Sequence, residues 1–428
     1  MSIIIRDASF LLGKDLTFVD SGFLEIEKNG LIKTSRPGRY HNANDEKKKD
    51  KYDAEGFLII PGFINAHTHI GDSIGKDIAV DSELDIRVHP VSGAKRLILQ
   101  KSNPEHLKIF MKSSAISMMK KGITAFADFR EGGYNGVKLL RDALSDLPIK
   151  CLALGRAEYY FDHAIKKRGK IVNIQDLKKE ASKNLPAEAS AMAADVLRIS
   201  DGFGISGANE NTDEALRQYY KLLQESSKHN NKKLLLAIHA AESKSTTEYS
   251  RSMTNRTEVK RIMQYLKPDF VVHMVNATDK DISMVAKKRT AIIVCPRANG
   301  ILGVGIPKIA RMLKSGCNIG IGTDNVMLNS PDIFREMDYL WKASRATEHK
   351  FISAKEILKM ATVNGAEILG LNSGHIGEGR SADLIFIDKQ HIDLSPIHNP
   401  YAAIVHRASK DSIRAVMING KFIDEPQL

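Results

Sequence analysis

Eight short apolar runs, separated by amphipathic stretches, limit the fold of this chain more than any other feature. They are GFINAHTH (62–69), GITAFADF (122–129), KCLALGRA (150–157), GFGISG (202–207), KLLLAIHA (233–240), DFVVHMV (269–275), RTAIIVCP (289–296) and CNIGIGTD (317–324). Runs this short, bounded by glycine, proline or charge and rich in branched residues, read as buried strands. Between them lie segments with helical spacing of apolar residues, such as PEHLKIFMKSSAISMMKKG (104–122), TDEALRQYYKLLQESSKHN (212–230) and GIPKIARMLKSG (305–316). Strand and helix in strict alternation imply a parallel sheet, and eight such units imply a closed α/β barrel of the (β/α)8, TIM type.

The two ends of the chain read differently. Near the N-terminus, alternation at Leu24 and Ile26 runs into Asn29-Gly30, a hairpin signal, and the segment DSIRAVMINGKFIDE (411–425) repeats the device at Asn419-Gly420. We therefore expect one small β-sandwich-like domain assembled from residues 1–60 and 370–428, with the barrel occupying 61–369.

Composition excludes several classes. Of the 428 residues, 43% are apolar and 27% charged, as in a globular protein, and no run approaches the ~20 apolar residues that span a bilayer. The N-terminal apolar pentad is too short for a signal sequence, so a cytoplasmic location without membrane partners is expected. Three dispersed cysteines, Cys151, Cys295 and Cys317, offer neither a disulfide framework nor a Cys-X-X-Cys knuckle. The net charge of +12 raises the question of nucleic acid, but its densest run, NDEKKKDKYD (44–53), is flanked by acids and reads as a solvated loop. With one tryptophan and dispersed lysines there is no aromatic-interleaved basic stripe, so no nucleic-acid partner is expected.

Chemistry in such barrels sits at the C-terminal ends of the strands. His67 and His69 stand at the end of the first run and, two apart on a strand, share a face. His239, His273 and Asp324 fall at the ends of three others, and Gly320 and Gly322, in phase with Asp324, leave room beside it. Imidazoles and a carboxylate without thiolates suit Zn2+ or Fe2+ in an open, catalytic site.

The segments PGFINAHTH, HAAE (239–242), VVHMVNATDKDI (271–282), GTDN (322–325) and GHIGEGRSADLIFID (374–388) together resemble the metal-dependent amidohydrolase superfamily, in its cytosine deaminase and chlorohydrolase-like branch. That resemblance spans nearly the whole chain and implies one divalent metal, zinc or iron, held by His67, His69, His239 and Asp324. It places Glu242 and His273 beside the ion, with Asp324 also accepting the proton of a metal-activated water, His273 steadying the nucleophile and Glu242 shuttling a proton to the ring and the departing amine. The implied reaction is hydrolytic deamination of a small heterocycle of purine, pyrimidine, pterin or triazine type. A chloride or amide leaving group at the same centre is the near alternative, and a non-catalytic scaffold barrel the distant one. The resemblance leaves a homodimer open. The stretch DGFGISGANENTDE (201–214) contains no lysine that could bridge a second metal, and it lacks the histidine that S-adenosylhomocysteine deaminases place there to contact substrate.

Substrate-reading candidates come from loops after the strands: Arg130 with Glu131, Arg156 with Glu158, and Arg297 with Asn299. Arginines can hold a carboxylate or phosphate in bidentate fashion, or brace neighbouring loops. Residues 160–200 and the loop 71–90 are both candidate covers, and Asp72 in the latter is read either as orienting a ligand histidine or as an exposed turn carboxylate.

Overall fold

The structure is a computed structural model that describes residues 2–40, 49–160 and 183–424. All eight expected strands form and lie in one parallel sheet: β6 (Phe63–His69), β7 (Ile123–Arg130), β8 (Lys150–Gly155), β9 (Gly202–Ile205), β10 (Leu235–Ala240), β11 (Phe270–His273), β12 (Ala291–Val294) and β13 (Ile319–Ile321). The sheet closes because β13 continues through Gly322 and Thr323 into β14 (Asp324–Asn325), which pairs with β6. At the seam the Thr323 N–H donates to the His67 carbonyl at 2.9 Å.

Alternation along the strands fills the barrel interior. Ile64, Ala66, Ala125, Ala127, Phe129, Leu154, Leu235, Ala237, Phe270, Val272, Ile293 and Cys295 form one buried cluster there, and a larger apolar layer joins the strands to the outer helices. The strands are buried on both faces, which is why they read as continuous apolar runs. Helix starts are marked by side-chain caps. Thr212, Ser243, Thr257 and Thr278 each accept a hydrogen bond from the backbone N–H three residues on.

Both chain ends build a second sheet, ordered β17 (Lys421–Phe422), β16 (Ile413–Ile418), β15 (Leu384–Asp388), β5 (Phe57–Pro61), β1 (Ser2–Leu12), β2 (Thr17–Ile26) and β3 (Ile32–Pro37), with β4 (Lys49–Asp53) also on β1. Both Asn-Gly turns form, and they meet: a Cβ on Gly30 would collide with the backbone of Asn419. Within the described residues no helix is long and apolar enough to cross a membrane. Residues 161–182 of the expected cover at 160–200 lie outside the described residues. Its described helix, Ala187–Ile199, flanks the barrel between the helices Gly133–Leu144 and Asp213–His229.

Candidate metal centre

The strand ends depart from simple alternation where the site lies. On β6 the inward positions begin as Ile64 and Ala66, and irregular pairing with β7 between Asn65 and Thr68 turns His67 and His69 inward. On β11 the inward residue is Val272, so strict alternation would send His273 out. Positive φ at His273 (77°) and Met274 (55°) instead sets its ring 5.3 Å from that of His239. Asp324 (φ 60°) and Ala241 (φ 48°), the residue before Glu242, carry the same left-handed backbone. Such conformations are disfavoured for non-glycine residues and persist where surrounding bonds enforce them.

These bonds can be traced. The Asp324 carbonyl accepts from Thr68 Oγ1 at 2.9 Å, and Ala241 N–H donates to Glu258 Oε2 at 3.0 Å. A Cβ on Gly322 would meet His67 Cβ at 2.7 Å, so the space the sequence leaves beside Asp324 is taken by His67.

One donor atom from each of His67, His239, His273 and Asp324 lies within 4.8 Å of the others. His69 faces the same point: its Nε2 is 3.3 Å from His239 Nε2 and 3.6 Å from Asp324 Oδ1, which itself lies 3.3 Å from His67 Nε2. His69 Nδ1 donates to the Phe129 carbonyl at 3.0 Å and His239 Nδ1 to the Ser206 carbonyl at 2.8 Å. Each neutral ring therefore points a bare Nε2 lone pair at the other. Burial, the largest influence on each, lowers the pKa of His67, His69 and His239, with His69 brought down to about 3. Burial alone would raise the Asp324 carboxyl, but the hydrogen bond with His67 and the surrounding imidazoles hold it below the ordinary range. Converging lone pairs and an ionised carboxylate repel one another unless a cation lies among them, so this donor set fits a divalent ion.

Behind these donors stands a second set of groups, in which Glu131 and Asn299 meet histidines where substrate reading was expected and Lys95 is a residue the sequence did not single out. Glu131, two residues past inward-facing Phe129, places Oε1 2.8 Å from His69 Nδ1 and 2.6 Å from Lys95 Nζ. Although burial opposes it, the Lys95 ammonium and His69 hold this carboxyl well below its usual range. Strand parity could have revealed Glu131; nothing marks Lys95, which reaches in from the helix Ala94–Lys101. Asn299 Nδ2 donates to His273 Nδ1 at 3.0 Å. Glu242 Oε2 is 3.7 Å from His273 Nε2, and burial, with Asp324 and Glu210 nearby, raises its carboxyl pKa.

The substrate-reading candidates divide. Arg130 has outward parity on β7. Its Nε and Nη2 donate to Glu131, and its guanidinium lies against Gly71, where no Cβ would fit. Arg297 donates to the Ser330 carbonyl at 3.2 Å and Asn329 Oδ1 at 3.2 Å and meets Glu336 at 3.5 Å, bracing the loop after Asp324. Arg156, inward by parity, lines a small cavity with Tyr159, Tyr160 and Ser206. Asn299 touches His273 and is fully buried. Asp72 is neither exposed nor against a histidine. It is fully buried and accepts from Asn325 Nδ2 at 2.7 Å and Met327 N–H at 3.0 Å, because the turn after Asp324 folds back over it.

Known proteins agree with this architecture. The chain is 34% identical over 421 residues to a "putative aminohydrolase" of Methanothermobacter thermautotrophicus, covering 98% of this chain and 99% of that one. It is 28% identical to a 5-methylthioadenosine/S-adenosylhomocysteine deaminase of Thermococcus sibiricus, over 99% and 94% of the two chains. Its fold is similar to an atrazine chlorohydrolase of Arthrobacter aurescens TC1 crystallised with zinc, with TM-score 0.78, 19% identity and coverage of 100% and 96%. The profile of the Amidohydrolase family matches residues 58–423, and the chain belongs to that family.

Proposed function

We propose that this chain hydrolyses an amino-substituted heterocycle of purine, pyrimidine, pterin or triazine type, releasing ammonia, at one divalent metal held by His67, His69, His239 and Asp324. The observation that carries this reading is the acceptor-only face made by His69, His239 and Asp324, with a carboxyl of raised pKa, Glu242, across from His273. When bound, the ion makes a water acidic enough to serve as nucleophile at neutral pH.

The chain's own groups do the rest. Asp324 accepts the proton released by the attacking water. With Nδ1 engaged by Asn299, His273 carries its hydrogen on Nε2 and donates it to the oxygen developing at the attacked carbon. Glu242, whose carboxyl pKa burial raises, protonates the ring nitrogen; the proton Asp324 took from the water passes to the leaving amine, and the hydroxyl proton released as the C–N bond breaks and C=O forms returns to Glu242. We assign the reaction to residues 61–369 and a bracing role to the composite unit, a division supported by Lys150 Nζ on Asp383 Oδ2 at 2.5 Å across the two sheets.

We propose zinc as the ion, supported by the nitrogen-rich donor set and by the zinc in the chlorohydrolase of similar fold. Elemental analysis of the purified protein should find about one equivalent of transition metal per chain. Ammonia release across nucleosides, free bases, pterins and aminotriazines should single out one class. A well-folded chain that binds no transition metal would refute the reading. The similar chlorohydrolase fold supports a second reading, and chloride release from a halotriazine with a blank ammonia panel would put it first.

A further inference from the structure

The segment that crosses the barrel mouth buries a charge that the proposed chemistry does not use. Two short helices, Leu84–Val88 and Ala94–Lys101, lie over the loops that follow β12 and β14. Leu84 and Ile98 pack on Leu302, Met327 and Leu328, the Asp77 N–H donates to the Met327 carbonyl at 3.0 Å, and Lys95 reaches Glu131 beneath. In the first helix Asp85 and Ile86 are exposed, and the only residue buried is Arg87, at 4% exposure. Its Nε and Nη1 are buried and meet no acceptor among the described residues.

A guanidinium held out of water without a counter-charge is strongly unfavourable. Its planar fork matches a carboxylate or phosphate, which would supply the missing charge. Two further arginines, one on the same cover and one at the end of β8, meet at one tyrosine. Arg96 stands over the Tyr160 ring at 5.6 Å, and Tyr160 shares its cavity with Arg156. The whole chain carries a surplus of +12, which draws anions toward such a mouth.

We propose that Arg87 recognises an oxyanion group on the arm of the substrate remote from the reacting carbon, so that the heterocycle taken here bears a carboxylate or a phosphate ester. This rests on the function proposed above and narrows its substrate class. A neutral nucleoside or base leaves the Arg87 donors unmet, and an anionic one completes them. Recognition then precedes chemistry: Arg87 acts on substrate affinity, while Glu242 and His273 act on turnover.

Calorimetric titration of the zinc-loaded protein with inorganic phosphate and, separately, with benzoate tests the site without requiring turnover. Saturable binding of one of them is expected, and which one binds distinguishes a phosphate ester from a carboxylate. In Arg87→Met that binding should weaken roughly a hundredfold, as when one partner of a buried charge pair is removed. Arg87→Lys, which keeps the charge and loses the fork, should fall between. Matched substrates, a nucleoside with its 5′-monophosphate and a pterin with its 6-carboxylate, should show a higher kcat/KM for the anionic member. Arg87→Met should erase that preference through KM.

The unliganded Arg87→Met protein should also melt at a higher temperature, because it no longer buries an unpaired charge; a purely structural arginine predicts the reverse. Wild-type protein that binds neither anion, or a variant that binds them unchanged, overturns the proposal. If anions bind through Arg87 but no amine is released from any substrate, the deaminase reading fails and this site stands.

Discussion

Half-buried Glu242 and buried Glu258 are both carboxyls with raised pKa, and their surroundings give them different roles. Glu242 faces His273, so removing its proton while keeping its shape should leave the metal bound and cut turnover about 10²- to 10⁴-fold in Glu242→Gln. Metal content and ammonia release measured on the same preparation check this, and full activity would remove Glu242 from the reaction. Glu258 instead accepts the N–H groups of Ala208 and Ala241 and holds the strained turn before Glu242.

Burial raises the Glu258 carboxyl to about 7. Between its ordinary value near 4.5 and 7, the folded chain holds a proton that the unfolded chain has lost. The stability linked to Glu258 is therefore present below pH 4.5 and disappears as pH rises through 7, by up to about 3 kcal/mol. Urea denaturation at pH 5 and pH 8 should show this loss, and Glu258→Gln should flatten it. An unchanged slope in the variant would assign the pH dependence to other carboxyls.

At the level of elements, the loop after β6 and the end of β7 act through one another. Glu131 orients His69 by its Nδ1, and Lys95, from the covering helix, fixes Glu131. Groups that orient a metal-bound histidine typically contribute 10- to 100-fold in affinity. Lys95→Met and Glu131→Gln are accordingly expected to lower zinc affinity in that range in chelator competition, with the far-UV spectrum unchanged. Gly322 works at the barrel seam, where a methyl group would press on His67. Gly322→Ala should cost about 1–3 kcal/mol of stability and release metal; wild-type stability would mean that the seam yields more easily than its packing implies.

For the molecule as a whole, the ion would join three strand ends, β6, β10 and β14, into one unit. A ligand that binds only the folded chain stabilises it by about 2.7 kcal/mol at a hundred times its Kd. Chelation should therefore lower the melting temperature, and added zinc should restore it. A melting temperature indifferent to chelator would show that the barrel is complete without metal. The composite β unit should follow the same transition, because β5 and β6 are joined through Gly62 alone and Lys150 is paired with Asp383.

The sequence by itself determined the barrel and most of its chemical groups. Eight buried strands need continuous apolar runs, and tight turns with positive φ, at Gly30 and at Asn419 and Gly420, favour Asn-Gly, so both features are local and visible. The pair His67 and His69 was legible for the same reason, since a period of two is a property of any strand. What alternation could not reveal were its interruptions. His273 enters the site only because the backbone reverses at its own φ, and Arg130 leaves it because parity continues unbroken to the end of β7. Lys95, Glu131, Glu258 and Arg87 gain their meaning from neighbours far away in the chain or, for Arg87, from the absence of an acceptor among the described residues where burial demands one. Charge and hydrogen bonding act through space, and only tertiary structure decides which distant groups share that space.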